Sequence, residues 1–275
     1  MGNLELRKKK DVSSFRKIAI GTWQTAYDPQ VYGTLVVRME EAMRYLAAFR
    51  DKTGHRLTIS HMVARAVAAA LVEMPDANAI LRWNRIYLRK NIGVFFQVVM
   101  EDEGAGKVDL SGATLYDVEQ KTLEQICDEF QAKVDQVRAR KDKALEKTRK
   151  SFLRIPYFLL NRVLKFLSFL TGTLNWKLPG VPKDPFGSVM VTNIGTLGLE
   201  TAYVPLVPYS RVPIVLAVGA VRDEPVVDDG QVRAGKVMKI HATFDHRIID
   251  GFHAAVMSRV LRKWLEKPFD HFDKI

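Results

Sequence analysis

The chain has 275 residues, 47% hydrophobic and 27% charged, a balance that supports a generous core and excludes disorder over most of its length. Its formal charge of +11, from 42 Lys and Arg against 31 Asp and Glu, admits a nucleic acid, an anionic membrane surface or an anionic substrate as partner. The single cysteine, Cys127, excludes an internal disulfide and a cysteine metal cluster and fits a reducing, cytoplasmic setting. The first eleven residues are basic without the apolar stretch of a secretory signal, and no apolar run reaches spanning length.

Residues 1–13 read as a basic, loosely held lead-in, and residues 14–275 as a single domain. Ser14 to Thr22 is mixed, helical at best. Thr34 to Val37 forms a strand, and Met39, Met43, Leu46 and Phe49 recur at helical spacing before Gly54 stops the helix. Ser60 is expected to cap an alanine-rich helix that Pro75 ends; its near-total apolarity predicts burial against a sheet. Ile86–Leu88 and Ile92–Met100 read as a hairpin, followed by a turn-rich loop from Asp102 to Gly106. An amphipathic helix opens at Thr122, with Leu123, Ile126, Cys127, Phe130, Val134 and Val137 on one face, and Cys127 reads there as a small core residue. Between Gln131 and Phe166 there are eleven Lys or Arg against three Asp or Glu, a surplus of eight.

Residues 151–170 are highly apolar yet carry Arg154, Arg162 and Lys165. That pattern suits a helix lying in a membrane interface, and it equally suits a helix packed on the domain or on a neighbouring subunit. From Phe186 the chain is rich in strands. Asp228-Asp229-Gly230 signals a hairpin and Arg233-Ala234-Gly235-Lys236 a second turn. A final helix carries Val256, Val260, Leu261, Trp264 and Leu265 on one face and ends before Pro268.

The chemistry concentrates in Phe244-Asp245-His246-Arg247-Ile248-Ile249-Asp250-Gly251. A strand from Lys236 to Phe244 delivers His246, and an imidazole is the side chain most often used as a general base. Gly251 would permit a sharp turn, and Asp250 would pin it by accepting backbone N–H bonds or an arginine, with Arg247 nearest. The same six-residue pattern also fits a partly buried histidine before an ordinary Asp-Gly turn. His241 and His246 lack further ligands at metal spacing, Gly195-x-x-Gly198 is not a nucleotide-binding run, and a Gly-x-Ser-x-Gly elbow is absent. Nucleic acid is disfavoured because aromatic residues are not interleaved with the cations on strands.

With its flanking strand and helix, this stretch resembles the signature of the acyltransferase component of 2-oxoacid dehydrogenase complexes, whose catalytic domain shares the chloramphenicol acetyltransferase fold. Ser188 to Gly198, Pro213 to Ala220, Leu57-Thr58-Ile59-Ser60 with the helix after it, Pro75 to Ala79 and Asn91 to Val94 look like further parts of the same domain. The resemblance implies an α/β, two-layer domain in which helices pack on a mixed β-sheet. It implies transfer of an acyl group between coenzyme A and a thiol or hydroxyl acceptor, with His246 as base and Asp250 holding the turn. The oxyanion donor would be Thr192 or Asn193, with the register between them open. It implies a homotrimer in which His246 of one subunit faces Thr192 and Asn193 of the next, and neither a metal nor a covalent lipoyl group on this chain. No lipoyl domain precedes Ser14, which suggests a stand-alone enzyme served by a separate lipoyl carrier or using another acceptor. Residues 143–185 stand out as an insertion, and 151–170 as the part that would bring the protein peripherally to a membrane. The rival reading is a non-catalytic trimeric scaffold or membrane-docking protein of the same fold.

Overall fold

The computed structural model describes residues 2–9, 29–102, 107–138, 155–179 and 181–275. The mixed segment Ser14–Thr22, the cationic end of the helix opening at Thr122, and Ser151–Arg154 lie outside the described residues. The architecture is a mixed sheet covered on one face by helices, as the resemblance implied. The main sheet runs in the order β2-β10-β8-β7-β5-β6, comprising β2 (Gln30–Arg38), β5 (Gly93–Asp102), β6 (Lys107–Tyr116), β7 (Val189–Asn193), β8 (Ile214–Val218) and β10 (Gln231–Asp245). Strand β9 (Arg222–Asp228) adds to the first half of β10. Strands β5, β7 and β8 are parallel, whereas β10 is antiparallel to both β8 and β2. A smaller sheet combines β1 (Leu6–Lys8), β4 (Arg85–Arg89) and β3 (Ala79–Arg82).

Helices α1 (Glu40–Thr53), α2 (Ile59–Glu73), α3 (Leu123–Arg138) and α5 (Gly251–Glu266) share one core with that sheet. The predicted stripes explain this: Leu123, Ile126 and Cys127 of α3, and Val260, Leu261 and Leu265 of α5, are all buried in it. Strands meet the helices through Val189 and Val191, Leu216 and Val218, and Met238 and Ile240, alternate residues of one face. Gly54 closes α1 in the left-handed conformation, φ 74°.

Several local readings are corrected. The cap of α2 is Thr58, whose hydroxyl accepts from the His61 N–H; Ser60 lies inside the first turn. Ile86–Leu88 and Ile92–Met100 are not a hairpin. The first belongs to β4, paired with β3 through the Trp83-Asn84 turn, and the second to β5, paired with β6. Arg233–Lys236 is no turn either. It continues β10 opposite β9, where a Cβ on Gly235 would come within 2.6 Å of Val226. The described lead-in residues are held: Leu6 pairs with Arg89 across β1 and β4, and the Asn3 N–H donates to the Asn175 carbonyl.

The apolar 151–170 segment yields α4 (Tyr157–Ser168), continued by a π-helical turn, Phe169–Thr173. The far end of this unit packs on the small sheet. Arg82 donates to the Thr173 carbonyl, and Arg211 bridges the Ser168 hydroxyl and the Leu81 carbonyl. No helix among the described residues is long and apolar enough to cross a membrane.

Candidate active site

Strand β10 ends at Asp245, and the chain turns at once through His246 to Ile248. His246 is half-buried, and its N–H donates to the Pro29 carbonyl, just before β2. The imidazole Nδ1 lies 2.9 Å from the Ile249 carbonyl. A carbonyl only accepts, so Nδ1 carries the hydrogen and Nε2 is the basic atom of the neutral ring. The turn thereby sets the tautomer a general base needs.

Asp250 caps α5. Its Oδ1 accepts from the N–H groups of Phe252 and His253 at 2.9 and 3.2 Å, and from His253 Nδ1 at 2.6 Å. The expected arginine partner lies elsewhere: Arg247 forks onto the buried Asp245, with contacts of 2.9 and 2.7 Å. Two residues back is the shorter reach across so tight a turn. Gly251 is not demanded by the backbone, since its φ lies outside the left-handed region and a Cβ there would meet open space. That openness leaves the first turn of α5 uncovered beside the histidine's turn.

Thr192 and Asn193 close β7 and, as successive strand residues, face opposite ways. Asn193 belongs to the helix side. Its amide Nδ2 donates to Ser60 at the start of α2 (3.0 Å), and its Oδ1 accepts from the Thr196 N–H (3.2 Å). It therefore shapes the turn after β7. Thr192 lies on the other face, half-buried, in a crosswise row with Ala217 of β8, His241 of β10 and Thr34 of β2.

Below that row the open face is covered by the connection from β7 to β8: Val204, Leu206 and Val207 pack on Met190, Val212 and Val215. His241, buried in mid-strand, holds this connection down. Its Nε2 donates to the Glu200 carbonyl at 2.8 Å, so in the neutral ring Nδ1 accepts from the Thr34 hydroxyl (3.1 Å), which accepts from Tyr203 (2.6 Å). From the sequence, His241 reads only as a candidate metal ligand and His253 carries no signal. Strand parity points His241 to the Thr192 face, but nothing in the sequence says that a loop returns to meet it.

Within one chain the two halves of the expected site are far apart. Thr192 and His241 are two strands apart, and His246 is five residues further along β10, which together give roughly 19 Å. A base and an oxyanion donor must flank the same carbonyl within hydrogen-bond reach.

The family profile described as 2-oxoacid dehydrogenases acyltransferase (catalytic domain) matches residues 7–153 and 186–272. The chain belongs to this family. The unmatched stretch between the two segments contains α4. Among curated proteins, the chain is 24% identical over 218 residues to the dihydrolipoyllysine-residue acetyltransferase component of the acetoin cleaving system of Bacillus subtilis, covering 79% of this chain and 44% of that protein. It spans less than half the length of the curated relatives it matches. The fold is similar to that of the Azotobacter vinelandii dihydrolipoamide acetyltransferase (TM-score 0.66, 19% identity, 96% of this chain and 93% of that one). In the catalytic mechanism of that enzyme the roles of a serine, a histidine and, four residues after the histidine, an asparagine have been investigated. A chloramphenicol acetyltransferase is similar at TM-score 0.52 and 13% identity over 94% of this chain and 99% of that one.

Proposed function

We propose that the protein transfers an acyl group between coenzyme A and the thiol of a dihydrolipoyl group carried on a separate domain. The observation that carries this reading is the His246 imidazole, fixed by the Ile249 carbonyl with Nε2 as base, in a chain of an acyltransferase family. Nε2 takes the proton of the acceptor thiol as its sulfur attacks the thioester carbonyl of acyl-coenzyme A. The carbonyl oxygen becomes an oxyanion, to which the Thr192 hydroxyl of a neighbouring subunit donates. The intermediate collapses by breaking the bond to the coenzyme A sulfur, and that thiolate recovers the proton from Nε2. Atoms and charge balance without a metal or an acyl-enzyme, and positioning supplies much of the rate.

Thr192 is preferred to Asn193 because Asn193 is spent on Ser60 and Thr196. Asp250 acts by holding the turn and α5 together, without handling the proton. The separation of Thr192 from His246 within one chain favours a cyclic homotrimer with sites between subunits. The same machinery would serve a hydroxyl acceptor, so the acceptor is the point to test. The full chain, supplied with acetyl-coenzyme A and a panel of dihydrolipoamide, alcohols, amines and lipid hydroxyls, should release free coenzyme A fastest with dihydrolipoamide. His246→Ala should slow release by about 10²–10⁴-fold while leaving the oligomer intact. Undiminished turnover by that variant refutes the mechanism, and no turnover with any acceptor favours a scaffold of the same fold.

A further inference from the structure

We propose that α4 and the turn that follows it dock the protein on the surface of an anionic lipid bilayer. The unit is anchored at its far end, through Ser168, Thr173 and the Asn175 amide, which pairs with the backbone of Leu4. Large rings along it are presented outward. Phe166 is 60% exposed and Trp176 57%; Trp83, 62% exposed at the tip of the β3–β4 turn, meets the Phe169 ring edge-on at 5.8 Å. Large aromatic rings exposed together in this way are costly in water and mark an interaction surface.

The charge pattern identifies the occupant. Arg162 and Lys165 are exposed on the same helix as Phe166, and from Ile155 to Pro182 the sequence has three cations and no carboxylate. Rings that enter the boundary between headgroups and acyl chains, with cations left among the phosphates, are the requirements of an in-plane interfacial helix. An acidic protein surface would satisfy the cations and leave four rings exposed. The helix cannot span a bilayer, so the contact is peripheral, and it needs neither His246 nor Thr192.

Co-sedimentation of the full chain with phosphatidylcholine vesicles, with and without about a third phosphatidylglycerol, tests this directly. Binding should appear with the anionic vesicles and weaken as salt rises. Phe166→Ser with Phe169→Ser should weaken it by about tenfold or more. Arg162→Glu with Lys165→Glu, which alters exposed positions alone, should weaken it by about fivefold or more. His246→Ala should bind vesicles as the unaltered protein does, so a failure of the docking surface is distinguishable from a failure of the catalytic reading. The proposal is overturned if anionic vesicles capture no protein, or if the charge-reversed pair binds as well as the unaltered chain. It is also overturned if the phenylalanine pair lowers the oligomeric mass, which would assign this face to a second copy of the chain.

Discussion

If His246 and Thr192 act on one carbonyl from different subunits, two inactive variants should rescue each other. His246→Ala removes the base and should cost about 10²–10⁴-fold in turnover. Thr192→Val keeps the shape and removes the hydroxyl, costing about 10²–10³-fold, or about 3 kcal/mol. Give each variant a different affinity tag, co-express them, and purify on both tags in succession, so that only mixed trimers remain. Around such a ring each site takes its histidine from one chain and its threonine from the next. Whether the mixture is two-to-one or one-to-two, one site has both groups intact, so turnover should return to about one third of the unaltered protein per trimer. The roughly 19 Å between the two groups within a chain is what makes the outcome decisive. A site confined to one chain gives no intact copy in any mixture. Doubly tagged trimers no more active than either parent would refute the shared site.

Asp250→Ala removes the cap of α5 and should lower stability by about 1 kcal/mol in urea unfolding, whereas Asp250→Asn, which keeps an accepting oxygen, should retain both stability and activity; a large loss of kcat in Asp250→Asn alone would mean that the carboxylate handles charge. Asn193→Ala should reduce stability through the Ser60 and Thr196 contacts by about 1 kcal/mol, with a far smaller effect on kcat than Thr192→Val; the opposite ranking would exchange their roles. Burial, followed by Arg50 and Arg56, pushes the His61 imidazole down to about 4. The unfolded ring binds its proton near pH 6.5, so the unfolded chain takes up more protons between those values, and stability should fall by roughly 3 kcal/mol as pH drops from about 6.5 to about 4. His61→Leu should flatten that part of the urea-midpoint profile, and parallel profiles would refute the assignment.

How legible each feature was depended on how local its causes are. The His246–Asp250 turn could be read in outline because consecutive residues specify a strand end and an aspartate that accepts backbone N–H bonds, whereas the Ile249 carbonyl that sets the tautomer was not visible before the chain folded. The choice between Thr192 and Asn193 could not, because both neighbours of the pair are apolar and β7 is buried on both faces, so alternation carried no signal of which side was which. The β3–β4 hairpin was hidden for a related reason. Its turn residues Trp83 and Asn84 adopt positive φ without a glycine to announce it, while Gly235, which looked like a turn, is a small residue inside a strand beneath Val226. The apolar 151–170 segment left two readings open because amphipathic spacing reports that a helix has two faces, not what each face meets. The contacts of Ser168 and Thr173 fix only its far end on the domain.

The division of the site follows from strand direction. Both halves of the proposed site lie at the carboxyl ends of strands: Thr192 near the end of β7, His246 just past the end of β10. Were those strands parallel, the two ends would share one edge of the sheet and the site could close within a chain. β7 is parallel to β8, however, and β8 is antiparallel to β10, so the two ends lie at opposite edges. The rows make this explicit, because Thr192 is level with His241 while His246 is level with the start of β2. No rotamer change or loop movement spans that gap, since β8 and β10 are buried in the core that defines the fold. A second copy can bridge it without disturbing either element, and catalysis by this arrangement would then be a property of the assembly, lost when dilution separates the chains even though each remains folded.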